Sequence, residues 1–69
     1  MSKQIYKHFK GGEYRKLCIA IDEPSGREMM IYQSLETGKI WCRSKSQFFS
    51  AVLHEGNFIN RFEYVRDEE

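Results

Sequence analysis

The residues of this chain best suited to chemistry are two histidines and two cysteines: His8, His54, Cys18 and Cys42. A histidine beside a carboxylate could act as a general acid or base, and a cysteine beside a histidine could act as a nucleophile. No local signature joins any such pair, and no Gly-rich phosphate loop leads from a strand into a helix. The four residues also lack the close spacing of zinc ligands, and two distant cysteines make no disulfide framework. We therefore predict no enzyme activity, no metal and no cofactor, and we interpret both cysteines as small buried residues.

A second group of residues suits recognition better than catalysis. Trp41 offers a plane for stacking, and Arg43 or Arg61 could hold an anionic or carbonyl group. Gln33 adds an amide with directed donors and acceptors. The same residues also have a structural interpretation, in which Trp41 closes the end of a barrel and the arginines pair with glutamates. The sequence leaves both interpretations open.

A hairpin predicted over residues 27–43 must position most of this second group. Its turn contains Gly38, which accepts a left-handed backbone, whereas β-branched Thr37 would be strained there. We therefore predict a three-residue loop over residues 36–38, with Gly38 as a bulge. Side chains alternate across a strand, so this register defines two faces. The uncharged face, predicted to be the core, carries Met30, Tyr32, Ser34, Ile40 and Cys42; the other face, predicted to bind a partner, carries Ile31, Gln33, Leu35, Lys39, Trp41 and Arg43.

Two strands are predicted before the hairpin, over residues 5–9 and 14–21. In the second of them, alternation predicts that Leu17, Ile19 and Ile21 face the core. The glycines that follow the first strand and the Pro-Ser-Gly sequence that follows the second mark turns.

The segment after the hairpin is predicted to be a short helix followed by a last strand. Ser44 is a candidate helix cap, and Phe48 and Val52 are separated by a helical repeat. A turn is predicted over residues 54–57 and a strand over residues 58–65, whereas the polar tail beyond them is predicted to fray.

These elements predict a mainly β fold in one domain over residues 1–69, with an ordered core at about residues 5–65. We expect a small, strongly bent antiparallel sheet or a Src-homology-3-like barrel of four to five strands, with one short helical segment. The barrel is the first choice because closure hides the strand edges of so short a chain. The alternative is an open meander with a helix packed on one face.

Composition limits the classes of function. Hydrophobic residues make up 41% of the chain and charged residues 30%, which is typical of a globular domain. The net charge is only +1, so nucleic-acid binding would need a local basic surface. No apolar run is long enough to span a bilayer, and the N-terminus lacks the apolar core of a signal peptide. We therefore expect a cytoplasmic protein without membrane contact.

Five segments of the chain, taken in order, resemble the motifs of a known bacterial family: Tyr6 to Tyr14, Tyr32-Gln33, Ile40 to Arg43, Phe48-Phe49 and Asn60-Arg61-Phe62. The domain-of-unknown-function 1653 (DUF1653) family has His-Phe-Lys-Gly, Tyr-Gln, Leu-Trp-Val-Arg-Pro, Met-Phe and Pro-Arg-Phe in this order. The resemblance covers nearly all of the chain from Tyr6 to Phe62 and implies a small stand-alone β domain, but no function. Ser44 and Asn60 stand where the family has proline.

The recognition residues and the resemblance together predict a binding module without enzyme activity. A protein segment or peptide is the favoured partner, and nucleic acid bound by a small β barrel is the alternative. The sequence identifies neither the ligand nor the oligomeric state. The predicted site residues are Ile31, Gln33, Trp41, Arg43, His8, Tyr14 and Arg61.

Overall fold

Residues 3–68, which the computed structural model describes, form seven β-strands and one helix of four residues. The mainly β, antiparallel fold with one short helical segment is therefore confirmed, although the expected four to five strands are too few. The strands are β1 (Lys3–His8), β2 (Glu13–Ile21), β3 (Glu28–Ser34), β4 (Ile40–Ser44), β5 (Ala51–His54), β6 (Asn57–Asn60) and β7 (Phe62–Glu68), and the helix α1 (Lys45–Phe48) lies between β4 and β5.

Five of the strands form one antiparallel sheet in the order β4-β3-β2-β1-β7, and β5 pairs with β6 in a separate hairpin. Strands β1 to β4 follow one another as a meander, and β7 returns to lie beside β1. Within residues 3–68, β4 does not pair with β7, so the sheet stays open and the predicted Src-homology-3-like barrel is wrong. The structure has the alternative architecture, an open sheet with a helix packed on one face.

Bulges bend this sheet. The pairing of β2 with β3 shifts between Lys16 and Cys18, and the pairing of β1 with β7 also shifts once. A bulge bends its strand and interrupts the alternation of its side chains. Leu17 lies at this shift, whereas Ile19 and Ile21 lie beyond it in regular register and share one face. Ile19 packs on the core, but Ile21 ends β2 and is 63% exposed, so its predicted core position is wrong.

An aromatic cluster forms the core on one face of the five-stranded sheet, which we call the inner face. The rings of Phe48 and Phe62 stack with their centroids 4.0 Å apart. Tyr6 and Tyr32 each meet the Phe48 ring edge-on at 5.2 Å. Such contacts stabilise a core beyond the area that they bury. The buried members of the cluster are Tyr6, Met30, Tyr32, Phe48 and Phe62.

The loop of the β3–β4 hairpin is one residue longer than predicted. The Ser34 N–H donates to the Lys39 carbonyl and the Gly38 N–H to the Ser34 carbonyl, both at 2.9 Å, which closes a four-residue loop. Ser34 Oγ accepts hydrogen bonds from the N–H groups of Glu36 and Thr37 at 3.2 and 3.1 Å. The buried Ser34 hydroxyl thus holds the longer loop in place. Gly38 has φ of 78°, so its predicted left-handed conformation is confirmed.

This change of register by one residue turns β4 over. Tyr32 pairs with Trp41, which places Trp41 and Arg43 on the inner face with Tyr32. Ile40 and Cys42 lie on the opposite, outer face, where Ile40 is 62% exposed. The predicted faces of β4 are therefore wrong, although β3 buries Met30, Tyr32 and Ser34 as predicted. Both cysteines, predicted to be buried, are exposed.

Helix α1 follows Ser44, whose Oγ accepts a hydrogen bond from the Gln47 N–H at 3.2 Å. The predicted serine cap is confirmed. Val52 lies in β5, so its predicted helical pairing with Phe48 is wrong. Four residues are too few for a helix that is stable by itself. The burial of Phe48 against the sheet is what holds α1 in place.

The last predicted strand is divided in two. The predicted turn at residues 54–57 is confirmed and connects β5 to β6, and Arg61 separates β6 from β7. Phe58 in β6 is 75% exposed, whereas Phe62 in β7 is buried in the core.

Charged pairs cover the outer face of β1, β2 and β7. Ile5 is fully buried there and pairs with Arg15 on one side and Arg66 on the other. Arg15 Nε lies 2.6 Å from a Glu68 carboxylate oxygen, and an Arg66 guanidinium nitrogen lies 3.0 Å from a Glu13 carboxylate oxygen. The predicted fraying of the tail is therefore wrong as far as Glu68, and the last residue lies outside the described part of the chain.

Candidate functional site

A cleft on the inner face, which we call the Trp41 cleft, brings four of the predicted site residues together. Its volume is about 170 Å³. Tyr32 and Phe62 also contact it; the prediction took Tyr32 as core only and named no site role for Phe62. Both belong to the family motifs, so the sequence did contain a signal for them. The lining residues are His8, Tyr14, Tyr32, Trp41, Arg43 and Phe62.

Every strand of the five-stranded sheet contributes to this cleft. Strand pairing sets His8 opposite Phe62 and Tyr32 opposite Trp41. The Tyr14 ring meets the rings of Tyr32 and Phe62 edge-on at 5.5 and 5.7 Å. Packed rings therefore form the floor, whereas the Trp41 indole, 49% exposed, forms an open wall.

Arg43 is the only lining residue with a permanent charge, and its guanidinium lacks a partner among the described residues. Its Nε is buried without a hydrogen bond, and no carboxylate within residues 3–68 forms an ion pair with it. Glu13 pairs with Arg66 instead, and Glu28 with Lys45 at 3.7 Å. An unpaired buried donor destabilises a fold by about 1–3 kcal/mol, and more when it is charged. The Arg43 guanidinium is therefore available to an acceptor on a bound partner.

His8 adds a neutral imidazole to the cleft. Its Nδ1 accepts a hydrogen bond from the Lys10 N–H at 3.1 Å, which leaves the ring proton on Nε2. Burial, and then the charges of Arg43, Arg61 and Lys10, lower the pKa of His8 below its ordinary value. The surroundings of His8 are thus rich in cations, and a bound anion would be stabilised there.

Arg61 contributes to this positive field but does not line the cleft. Its Nε donates to the Gln47 carbonyl at 3.2 Å and lies 3.4 Å from Ser50 Oγ. The Arg61 side chain thus ties the start of β7 to the end of α1.

Gln33 and Ile31 lie on the outer face, away from Trp41 and Arg43. The Gln33 amide oxygen accepts from an Arg15 guanidinium nitrogen at 3.1 Å, and its amide nitrogen donates to the Gly38 carbonyl at 3.0 Å. The prediction that these four residues share one face is wrong, because the longer loop shifted the register of β4.

A larger hollow of about 510 Å³ lies beside α1, but its charges are partly matched. Its wall contains Lys45 and Glu28, which form the 3.7 Å ion pair described above. We therefore take the Trp41 cleft as the candidate site. In the part of the chain that the structure describes, no group of three or more His, Cys, Asp or Glu side chains could hold a metal ion. Nor does any helix of residues 3–68 have the length and apolar character needed to cross a membrane.

The open sheet and the cleft define a small antiparallel β domain with one aromatic, cationic concavity. The chain belongs to the DUF1653 family, described as proteins of unknown function, whose pattern it matches over residues 4–64. The resemblance seen in the motifs is thereby confirmed. Comparisons with curated proteins and with solved structures gave no significant match.

Proposed function

We propose that the protein is a binding module without enzyme activity, acting in the bacterial cytoplasm, whose Trp41 cleft holds an acidic side chain of a protein segment. The observation that carries this proposal is the unpaired guanidinium of Arg43 beside the half-exposed indole of Trp41. A carboxylate fits that guanidinium in a two-bond geometry, and an apolar neighbour of the carboxylate can lie against the indole.

The size of the cleft favours a single side chain over a free small molecule. Sites for drug-sized ligands have volumes of about 300–1,000 Å³. The Trp41 cleft has about 170 Å³, which accommodates one acidic side chain. The rest of a protein segment would then lie along the surface outside the cleft.

The charges around the cleft favour an anion. Arg43 lines it, and the positive charges of Lys10 and Arg61 act on His8 in its wall. Its lining, within the described residues, contains no Asp or Glu. A carboxylate would therefore gain from several cations without opposition from a neighbouring acid.

Single-stranded nucleic acid is the second candidate, and the same pair of side chains favours it. A base could stack on Trp41 while a phosphate contacts Arg43. Elsewhere the basic surface is interrupted, because Arg15 and Arg66 are paired with glutamates. For this reason we place the protein segment first.

The test is an array of end-blocked pentapeptides probed with fluorescently labelled protein. We expect Asp or Glu to be enriched among the bound sequences, and Arg43→Ala to weaken their binding about 10- to 150-fold. This range corresponds to the roughly 1.5–3 kcal/mol of hydrogen bonds to a charged group. Trp41→Ala should also weaken binding, and both variants should keep the circular dichroism spectrum of the wild type.

Leu53→Ala is the matched control, because Leu53 is a similarly exposed aliphatic residue that lies in β5 and does not line the cleft. It should bind the same peptides as the wild type. Absence of acidic enrichment, or equal binding by Arg43→Ala, would overturn the proposal. Salt-sensitive binding of a labelled oligothymidine, lost in Arg43→Ala, would favour nucleic acid instead.

A further inference from the structure

One edge of the five-stranded sheet lies directly beside the Trp41 cleft. Strand β4 is last in the strand order and pairs, within residues 3–68, with β3 alone. It also carries Trp41 and Arg43. Whatever occupies the cleft therefore lies close to the open edge of β4.

The hydrogen-bond pattern shows which backbone groups of β4 point away from the sheet. Ser34 and Lys39 are a hydrogen-bonded pair, and such pairs alternate along an antiparallel ladder. Trp41 and Arg43 therefore direct their backbone N–H and C=O groups toward β3. Ile40 and Cys42 direct theirs outward, to the open edge.

This edge has few of the features that commonly protect sheet edges. Such features include prolines, bulges and charged side chains. β4 has no proline and pairs with β3 without a register shift, and its one charged side chain, Arg43, lines the cleft. The other edge, β7, has an irregular pairing and carries Glu63, Arg66 and Asp67.

We propose that the bound segment adds to β4 as a sixth strand of the sheet. This inference rests on the proposed function and specifies how the protein segment binds. Backbone groups of Ile40 and Cys42 would pair with the segment, and its side chains would alternate between the two faces. The two residues of the segment that lie opposite Arg43 and Trp41 are separated by one residue. We therefore expect an acidic residue opposite Arg43, any residue next to it, and an apolar or aromatic residue opposite Trp41.

The charge of Arg43 favours an acidic protein segment over a second copy of the chain as the strand added to β4. If two β4 strands paired antiparallel about Trp41, Arg43 of each copy would lie opposite Lys39 of the other. If they paired about Cys42, each Arg43 would lie opposite a tryptophan. Neither arrangement supplies a carboxylate to Arg43, whereas an acidic segment does.

The experiment uses the acidic pentapeptide that binds best on the array and follows the fluorescence of Trp41, the single tryptophan of the chain. Each amide nitrogen of the peptide is methylated in turn. In an added strand only every second N–H points toward β4. We expect methylation to weaken binding at least tenfold at alternate positions and less than threefold at the positions between them.

A substitution in the protein tests the same backbone hydrogen bonds. Cys42→Pro removes the outward N–H but leaves the ladder to β3 intact, and proline is tolerated at a strand edge. It should weaken binding at least tenfold, whereas Cys42→Val, which keeps the outward N–H, should weaken binding less than threefold. If Cys42→Pro does not fold, the methylated peptides still decide the question.

The possible outcomes separate the two proposals. If no acidic peptide binds the wild type, the proposed function fails and strand addition fails with it. If a peptide binds but tolerates methylation at every position, the function stands and strand addition is wrong. If sedimentation shows a dimer that Cys42→Pro converts to a monomer, a second copy occupies the edge and the inference is also wrong.

Discussion

Two adjacent phenylalanines provide the most direct test of the core. Phe48 is fully buried, stacks on Phe62 at 4.0 Å and meets Tyr6 and Tyr32 edge-on, whereas Phe49 is 46% exposed. Replacing a fully buried phenylalanine by alanine costs about 3–5 kcal/mol. A half-buried ring contributes about half of the roughly 1.5–3 kcal/mol of full burial, so Phe49→Ala should cost about 1 kcal/mol.

These magnitudes matter because the whole domain is small. Its 69 residues, at about 0.05–0.15 kcal/mol each, give a free energy of unfolding of about 3–10 kcal/mol. Phe48→Ala should therefore lower the melting temperature by at least about 12 °C or leave the chain unfolded, and Phe49→Ala by about 4–8 °C. Phe48→Leu should recover only part of the loss, because leucine refills part of the cavity that alanine leaves but restores none of the ring contacts.

Thermal and urea unfolding, followed by circular dichroism, measure both variants under the same conditions. Equal losses for Phe48→Ala and Phe49→Ala would refute the packing described above. So would a Phe48→Ala variant that melts with the wild type, because α1 would then be held to the sheet by other contacts.

Three further predictions concern the loop, the histidine and the thiols. Gly38→Ala should lower the free energy of unfolding, measured in urea, by about 1–2 kcal/mol, because alanine is strained at a φ of 78°. A Cβ at this position would meet no other atom, so the strain lies in the backbone alone. An unchanged free energy of unfolding would contradict the left-handed conformation of Gly38. Burial lowers the pKa of His8 below its ordinary 6.5, so the unfolded chain binds more protons and stability should fall as the pH drops from about 7.5 to about 5.5. His8→Asn should show less of this pH dependence, and an unchanged dependence would assign it to other groups. Cys18 and Cys42 are exposed and should both react with a thiol reagent in the native protein, whereas reaction only after denaturation would show them to be buried.

The mainly β fold could be predicted because its signals are local. Gly38 adopts the left-handed conformation, and Ser44 caps α1, as their residue types indicate. The register of β4 could not be predicted in this way. Two loop lengths suit Gly38, and the choice between them depends on the Ser34 hydroxyl, which accepts from two loop N–H groups. A hydrogen bond of this kind is visible only once the loop has folded.

Strand alternation and the family motifs predict different members of the candidate site. Strand alternation grouped Trp41 with Gln33, and the shifted register separates them. The family motifs indicate six site residues, and the structure brings four of them to the cleft but leaves Gln33 and Arg61 outside it. The four are His8, Tyr14, Trp41 and Arg43. Motifs located the residues better than periodicity because periodicity fails wherever one residue is inserted into a strand or loop. The role of these residues in binding stays a prediction.

The aromatic cluster of the core has a practical consequence for spectroscopy. Met30 is fully buried among Tyr6, Tyr32, Phe48 and Phe62. The ring currents of these neighbours should shift the Met30 methyl protons away from the position of a methionine in water, upfield over a ring face and downfield at a ring edge. One proton spectrum of unlabelled material would then report whether the interior has assembled, before any partner is known.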